Sequence, residues 1–276
     1  MEIGISSLGH LIDLGNSGNF ESLDDYLIKA TDNCLNFAEK NDINVVEIVI
    51  DPPMILNSDN WQQFLDLIRS YSIKIQIHGP FINVNLCSNN TLISDASVKS
   101  YIESAKICKK LGAKILTIHP GTGDALIKSL RDFNKINLIN ALYRLLDFTN
   151  TLEITLCIEN MSTKSNMLLD ENEIISFFNR VYRSELYFTY DTSHFYTTNG
   201  DIKLLWEKMH NKIRNIHIVD NFSKETDTHP PLGTGKIDFN EIFSLINQYS
   251  YDGALIIELS SSKHLIQSID FVKNFI

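Results

Sequence analysis

The amino-acid sequence predicts an α/β fold, a single (β/α)8 barrel that takes up residues 1–276, and three observations favour it. Eight short runs rich in Ile and Val alternate along the chain with segments of helical periodicity. Most of these runs are too continuously apolar for half-exposed strands, and they suit strands buried on both faces of a parallel sheet. No linker or low-complexity tract marks a domain boundary. A doubly wound open sheet is the alternative, but no GxGxxG follows the first strand to favour it.

The eight predicted strands leave room for a helix between each strand and the next. In order along the chain, these strands are Glu2–Ser6, Asn44–Ile50, Ile73–His78, Lys114–His119, Glu153–Glu159, Leu186–Asp191, Ile213–Val219 and Ala254–Glu258. The clearest helical segments carry apolar residues three and four positions apart, which places those residues on one helix face. These segments are Leu23–Glu39, Trp61–Tyr71, Ser97–Leu111, Ile136–Phe148 and Phe239–Gln248.

The positions of the prolines support this alternation. All six follow a predicted strand and precede a helix: Pro52, Pro53, Pro80, Pro120, Pro230 and Pro231. Such βα loops form the catalytic face of a (β/α)8 barrel. Because proline restricts the φ angle, we expect these loops to hold their side chains still.

Composition indicates a folded protein of the cytoplasm. Apolar residues make up 43% of the chain and aromatic residues 10%, which is ample for a core and argues against disorder. The formal charge is −10 with no run of Lys or Arg, so nucleic acid is a disfavoured partner. The scattered cysteines (Cys34, Cys87, Cys108 and Cys157) form no CxxC pair and predict free thiols in a reducing compartment. No apolar run reaches the roughly 18 residues that span a bilayer, so no membrane partner is expected.

Ionisable side chains gather at the carboxyl ends of the last six predicted strands. They are His78, His119, Glu159, Asp191, His194, His217, Asp227, His229 and Glu258. A lone histidine at a strand end is usually a hydrogen-bonded structural group, but nine ionisable groups at one barrel mouth would repel one another or lie unpaired. Imidazole nitrogen and carboxylate oxygen are ligands for zinc, manganese, iron, cobalt or magnesium. The pattern therefore predicts between about one and three divalent metal ions per chain.

A nucleophilic site is a weaker interpretation of the same segments. Asp191, Ser193 and His194 are close in sequence, but this spacing in a loop does not produce an oriented Ser–His–Asp relay, and no GxSxG elbow exists. Cys87, in the segment NLCSNN, is a second candidate nucleophile, although such a cysteine is more often a small packed residue.

Seven short motifs, in order and on these strands, resemble the xylose isomerase-like TIM-barrel superfamily. The motifs are HGPFINVNL, IHPG, IEN, DTSH, HIVD, DTHPPLGTG and IELS, and they span the whole chain. The superfamily includes sugar and sugar-phosphate isomerases and epimerases, and endonuclease IV, the second family of AP endonucleases. The resemblance implies a TIM barrel with its metal site at the carboxyl ends of the strands.

The resemblance also implies roles for the nine residues. Four of them correspond to the metal site that the two branches share: Glu159, Asp191, His217 and Glu258. In the epimerases these hold one ion, and the two glutamates move protons on opposite faces of a metal-bound hydroxy-ketone. The remaining five correspond to the further ligands of the three-zinc site of endonuclease IV: His78, His119, His194, Asp227 and His229.

Charge distinguishes the two branches. The four carboxylates among the nine groups give the site a charge of −4. One bound divalent ion would change the charge of the site to −2, which suits a neutral sugar. Three ions would change it to +2, which attracts phosphate. The ligand count therefore favours phosphodiester hydrolysis. The loops favour the other branch, because residues 6–24, 51–61 and 79–96 contain no Lys or Arg to contact a DNA backbone. The later loops contribute few basic residues, which include Lys128, Arg131, Lys164, Lys224 and Lys263.

Taken together, these features favour a divalent-metal-dependent isomerase or epimerase of a small sugar or sugar phosphate. Glu159 and Glu258 are the expected proton-transfer groups, acting by way of an enediolate. The expected substrate contacts are Phe81, Asn83, Asn160 and Lys224. The alternative is an endonuclease IV-like three-zinc AP endonuclease or phosphodiester hydrolase, with duplex DNA disfavoured but not excluded as its substrate. The sequence leaves the oligomeric state open.

Overall fold

Eight parallel strands close into a barrel in sequence order, as the sequence predicts. The computed structural model describes residues 1–53, 55 and 58–276. The strands are β1 (Glu2–Ser6), β2 (Val45–Val49), β3 (Lys74–His78), β4 (Ile115–Ile118), β5 (Thr155–Glu159), β6 (Leu186–Asp191), β7 (Ile213–Ile218) and β8 (Ala254–Ile257). Residues Gly4 and Ile256 pair where β1 meets β8 and closes the sheet. Closure leaves no unpaired strand edge, which is the defining feature of a (β/α)8 barrel.

Ten α-helices surround the barrel within the described residues. They are α1 (Leu8–Ser17), α2 (Leu23–Lys40), α3 (Trp61–Arg69), α4 (Thr91–Leu111), α5 (Arg131–Thr151), α6 (Glu171–Val181), α7 (Thr192–Tyr196), α8 (Ile202–Met209), α9 (Phe239–Gln248) and α10 (Leu265–Lys273). None of the helices in these residues is both long enough and apolar enough to cross a membrane. The largest apolar cluster joins strand and helix residues, so it fills the layer between the barrel and the helices.

Helix α1 lies in a segment that the sequence analysis treated as a loop. Its Gly9 is buried, and a Cβ atom at that position would lie 2.8 Å from the backbone nitrogen of Ser262. A glycine here lets α1 approach the segment that follows β8. Two glycines within ten residues lower helix propensity, so the helix depends on this tertiary contact.

The interior of the barrel contains a polar layer. Asn215 donates hydrogen bonds from Nδ2 to Glu47 Oε2 (2.7 Å) and to Thr117 Oγ1 (3.2 Å). Thr117 Oγ1 in turn lies 3.0 Å from Thr189 Oγ1. These four side chains come from four strands and are fully buried. They connect the middle of the barrel to the residues at its carboxyl end.

Candidate metal centre

The structure brings all nine predicted ligand residues to the carboxyl end of the barrel. Residues His78, Glu159 and Asp191 are the last residues of β3, β5 and β6. The other six lie in β7 or in the segments that follow β4, β6, β7 and β8: His119, His194, His217, Asp227, His229 and Glu258. In a parallel barrel these ends share one face, which explains why residues distant in sequence meet there.

Glu159 occupies the middle of this group, and its two oxygens face different imidazoles. Oε2 lies 3.4 Å from His78 Nε2 and 3.1 Å from His119 Nε2. Oε1 lies 3.2 Å from His194 Nδ1 and 3.3 Å from His217 Nδ1. The side chain is 1% exposed, so these imidazoles take the place of solvent.

A second group forms between the loops that follow β6 and β7. His194 Nε2 lies 2.9 Å from Asp227 Oδ2, and His229 Nε2 lies 3.1 Å from Asp227 Oδ1. Asp191 caps α7 by accepting a hydrogen bond from the backbone N–H of His194, which places that histidine one turn above the strand end. Glu258 approaches this group from β8, with Oε1 3.4 Å from His229 Nδ1.

Backbone carbonyls orient two of the imidazoles. His78 Nδ1 lies 2.7 Å from the carbonyl oxygen of Gly79, and His194 Nδ1 lies 2.9 Å from that of Asn160. An Nδ1–H that donates to a carbonyl leaves the Nε2 lone pair free, and this is how metal-binding histidines are commonly held. The Nε2 atoms of both rings accordingly point to carboxylates of the centre.

Glu47 belongs to the centre although the sequence analysis did not select it. Its Oε1 lies 2.9 Å from His217 Nε2, and the side chains of both residues are fully buried. The signal that could have identified it is a single carboxylate in the otherwise apolar strand VVEIV. Catalytic residues of such barrels concentrate at strand ends. Glu47 lies in the middle of β2, so its position did not mark it as a candidate.

Burial and charge act in opposite directions on the histidines. Burial by itself would lower the pKa of His217, but the carboxylates of Glu47 and Glu159 raise that pKa well above its usual value. In the same way, burial would lower the pKa of His78, but its contact with Glu159 raises that pKa to about 9. His78 and His217 are therefore protonated beside the ionised carboxylate of Glu159 at neutral pH, whereas burial lowers the pKa of His119 despite the same carboxylate.

The carboxylates respond to the same environment. Burial would raise the pKa of Glu159, but the facing imidazoles of His217 and His119 lower that pKa well below its usual value. Burial dominates at Asp191, whose pKa rises to about 6 despite the nearby His194. A divalent cation would supply the positive charge that the protonated imidazoles now supply, with release of their protons.

Two observations show that the donor set fits divalent cations. Asp191 Oδ2 and His229 Nδ1 are buried without a hydrogen-bond partner, and both belong to the predicted ligands. Four overlapping sets of three residues also have ligand atoms within 4.8 Å of one another: His78–Glu159–His217, His194–Asp227–His229, Glu47–His217–Glu258 and Glu159–Asp191–His194. Nitrogen and oxygen donors in such sets are typical of zinc, manganese or iron sites.

The four predicted substrate contacts occupy different surroundings. Phe81 packs edge-on against His78, with ring centroids 5.7 Å apart, and Asn83 is exposed in the same loop. Asn160 is fully buried, and its amide exchanges two hydrogen bonds with the backbone of Asp191. Asn160 therefore positions Asp191, a predicted ligand, and its contact with a substrate stays a prediction.

Lys224 faces a neighbouring cavity of about 240 Å³. Its ammonium group donates to Asn199 Oδ1 and lies 5.4 Å from the centroid of the Tyr196 ring. None of the nine predicted ligands is among the described residues that line this cavity. The predicted role of Lys224 in substrate binding stays a prediction.

The two alternative nucleophiles are held in unreactive positions. Ser193 Oγ donates a 2.6 Å hydrogen bond to Asp227 Oδ1. In a Ser–His–Asp relay the serine hydroxyl would donate to a histidine instead. Burial raises the pKa of the Cys87 thiol to about 12. A thiol that stays protonated at neutral pH is a weak nucleophile, so Cys87 has the packing role that the sequence analysis favoured.

A cavity of about 380 Å³ opens beside the centre. Asp227 and His229 line it on one side, and apolar side chains that include Leu11, Ile12 and Phe81 line the other. Its volume is within the range of small-molecule sites.

A sequence profile described as the xylose isomerase-like TIM barrel matches residues 35–275. The chain belongs to the xylose isomerase-like TIM-barrel family. The family assignment agrees with the motifs at the strand ends and with the closed eight-stranded barrel.

Among the relatives of this family member are proteins named as endonucleases and proteins named as epimerases. A probable endonuclease 4 of Mycoplasma pneumoniae is 24% identical over 202 residues, which cover 68% of this chain and 68% of the relative. The solved structure of a D-tagatose 3-epimerase-like protein aligns over 100% of this chain and 97% of its own, with a TM-score of 0.83 and 22% identity. The IOLI protein, solved with a binding zinc atom, aligns over 100% of this chain and 96% of its own, with a TM-score of 0.77 and 18% identity. These structural similarities establish the fold that the xylose isomerase-like chain shares with both proteins.

Proposed function

We propose that this chain is a divalent-metal enzyme that hydrolyses phosphoesters of small molecules. The observation that carries the proposal is the division of Glu159 between two imidazole pairs. Oε2 faces His78 and His119, whereas Oε1 faces His194 and His217. A carboxylate placed in this way is suited to bridge two cations, and a multinuclear centre is typical of phosphoester hydrolysis.

The residues that would hold the ions follow from the three parts of the centre. We assign His78 and His119 to one oxygen of Glu159, and Asp191 and His217 to the other. The third set is His194, Asp227 and His229. Glu258 lies within reach of both His217 and His229, and we assign it to the second set. In such sites divalent ions activate water and neutralise charge on the phosphoester oxygens. The name of the Mycoplasma pneumoniae relative, a probable endonuclease 4, supports the same reaction class.

The proposed roles of Glu159 explain why hydrolysis is favoured over proton transfer. If both of its oxygens are ligands, neither is available to remove a proton from a carbon atom, which an isomerase of this type would require. The position of Glu159 therefore favours phosphoester hydrolysis, the alternative prediction from the sequence, over the isomerase or epimerase that the sequence favoured.

A small substrate is favoured by the surroundings of the centre. The adjoining cavity of about 380 Å³ has an apolar wall that includes Leu11, Ile12 and Phe81. The loops at residues 6–24, 51–61 and 79–96 contain no Lys or Arg, which contacts with a DNA backbone would need.

The second candidate is the isomerase or epimerase of a small sugar or sugar phosphate. The observation that favours it is the same cavity, because an uncharged sugar needs no cationic loops. Glu159 and Glu258 would then be the proton-transfer groups, and one ion would suffice. The D-tagatose 3-epimerase-like name of one structural relative supports this candidate.

Metal content and substrate assays on protein purified without a histidine tag separate the two candidates. We expect about three ions per chain by elemental analysis and hydrolysis of bis(4-nitrophenyl) phosphate or 4-nitrophenyl phosphate. About one ion with epimerisation of a ketohexose would replace the proposal by the second candidate. Incision of a DNA duplex at an abasic site, without hydrolysis of small esters, would agree with phosphoester hydrolysis as the reaction. It would contradict the proposal that the substrate is a small molecule.

A further inference from the structure

Glu47 is the only charged residue of β2, and its side chain is 0% exposed. The other residues of that strand are valines and one isoleucine, all buried. Burying a carboxylate in an apolar strand is unfavourable unless charged or hydrogen-bonding partners compensate. The partners of Glu47 are His217 and Asn215, both on β7.

The contacts of Asn215 and Glu47 favour one nitrogen of His217 as the one that carries a proton. Asn215 Nδ2 has two hydrogens, and these go to Glu47 Oε2 at 2.7 Å and to Thr117 Oγ1 at 3.2 Å. Nδ2 is also 3.2 Å from His217 Nε2, but it has no third hydrogen to donate there. His217 Nε2 lies 2.9 Å from Glu47 Oε1, and this buried oxygen has no other hydrogen-bond donor within reach, so a proton on Nε2 would satisfy it.

The opposite nitrogen of the same ring faces the metal centre. His217 Nδ1 lies 3.3 Å from Glu159 Oε1 and 3.8 Å from Asp191 Oδ2. Asp191 Oδ2 is buried without a hydrogen-bond partner, so a ligand position lies between these atoms. When Nε2 carries the proton, the lone pair on Nδ1 is directed to this position.

We propose that Glu47 is a positioning residue that holds His217 in the tautomer and orientation that bind a divalent ion through Nδ1. The inference rests on the metal centre of the proposed function, but it does not depend on which reaction that centre catalyses. A carboxylate behind a metal-binding histidine raises the basicity of the ligand and fixes its ring. Asn215 supports the carboxylate in turn, and the hydrogen bond to Thr117 anchors Asn215 to β4.

Titration of the full chain with zinc against a competing chelator tests the proposal without an activity assay. We expect Glu47→Leu, which removes charge and acceptor, to weaken the tightest zinc site about 100-fold, and Glu47→Gln, which keeps an acceptor oxygen, to weaken it about 10-fold. Thr189→Val is the matched control, because it alters the same buried polar layer without touching a predicted ligand. Zinc affinities of both Glu47 variants within twofold of the wild type would overturn the proposal.

A second measurement uses the wild-type chain and remains decisive if the Glu47 variants do not fold. Nitrogen-15 NMR of the zinc-loaded, histidine-labelled protein reports which ring nitrogen is protonated, and His217→Gln identifies the signal. We expect Nε2 of His217 to be protonated and Nδ1 to bind zinc. A zinc-bound Nε2 would overturn the proposal and make Glu47 a direct ligand with Glu258, since those three residues also have ligand atoms within 4.8 Å. A wild-type chain that binds no divalent ion would instead contradict the proposed function.

Discussion

His194 Nε2 lies 2.9 Å from Asp227 Oδ2, and this contact joins the loop after β6 to the loop after β7. Asp227 also contacts His229 at 3.1 Å, so one carboxylate holds two imidazoles of the third ligand set. We expect Asp227→Asn to lower the metal content by about one ion per chain and to reduce phosphoester hydrolysis about 10²-fold, since a carboxamide is a weaker ligand. Elemental analysis and steady-state kinetics measure the two effects.

Glu225→Gln is the matched control for this variant. Glu225 is exposed in the same loop, two residues from Asp227, and the substitution makes the same change in charge. It should leave metal content and kcat unchanged. Equal losses in the two variants would show that loop charge, and not ligation, is responsible.

Glu159→Gln should have the larger effect because Glu159 contacts imidazoles on both of its oxygens. We expect loss of more than one ion per chain and a fall in kcat/KM of about 10²- to 10³-fold or more, with the barrel still folded. Circular dichroism checks the fold, and Glu153→Gln, an exposed glutamate just before the same strand, is the control. Full activity with full metal content in Glu159→Gln would rule out the assigned site.

Asp51 anchors the loop that carries Phe81. Its Oδ2 accepts hydrogen bonds from the backbone N–H groups of Phe81 at 3.0 Å and Ile82 at 2.8 Å. We expect Asp51→Ala to cost about 1–2 kcal/mol in the free energy of unfolding. It should also raise KM for a small phosphoester with little change in kcat, because Phe81 lines the cavity beside the centre. Asp51→Asn retains an acceptor oxygen, so its free energy of unfolding and its KM should stay close to those of the wild type. Equal free energies of unfolding for the two variants in urea denaturation would contradict this role.

His10 should make stability depend on pH. Burial lowers its pKa to about 4, and the charge of Asp13 only partly offsets this effect. Because the unfolded chain binds this proton at a higher pH than the folded chain, the free energy of unfolding should fall as pH decreases from about 6.5 to 4. The full effect is about 3 kcal/mol, and it should be absent above pH 7.

Urea denaturation of metal-free protein across this pH range measures the effect. His10→Gln removes the titrating group while other groups titrate as before, so the difference between the two proteins isolates His10. That difference should change by about 3 kcal/mol between pH 7 and pH 4. Parallel stability curves would show that His10 titrates normally in the folded chain.

The sequence was sufficient to predict the barrel and to predict which ionisable residues lie at its carboxyl end. Continuous apolar runs such as Ile115–Ile118 and Leu186–Asp191 are distinctive of buried parallel strands, and an ionisable residue at their ends stands out. Short or glycine-containing helices were not predicted. Helix α7 has only five residues, too few for a periodic pattern, and α1 depends on a close contact between Gly9 and the segment after β8.

Glu47 shows why part of the centre could not be predicted. Its importance depends on His217, 170 residues later in the chain, and on the strand register that brings β7 across the barrel interior. A single glutamate in an apolar strand indicates that some partner exists, but it does not identify the partner.

By itself, the sequence determined which residues end the strands and hence which ionisable groups share the carboxyl face, because the (β/α)8 connectivity brings all strand ends to one side. Only the tertiary structure decided that the two oxygens of Glu159 face different imidazole pairs and that His217 lies between Glu47 and Glu159. The physical reason is that side-chain orientation depends on the register and packing of strands that are distant in sequence.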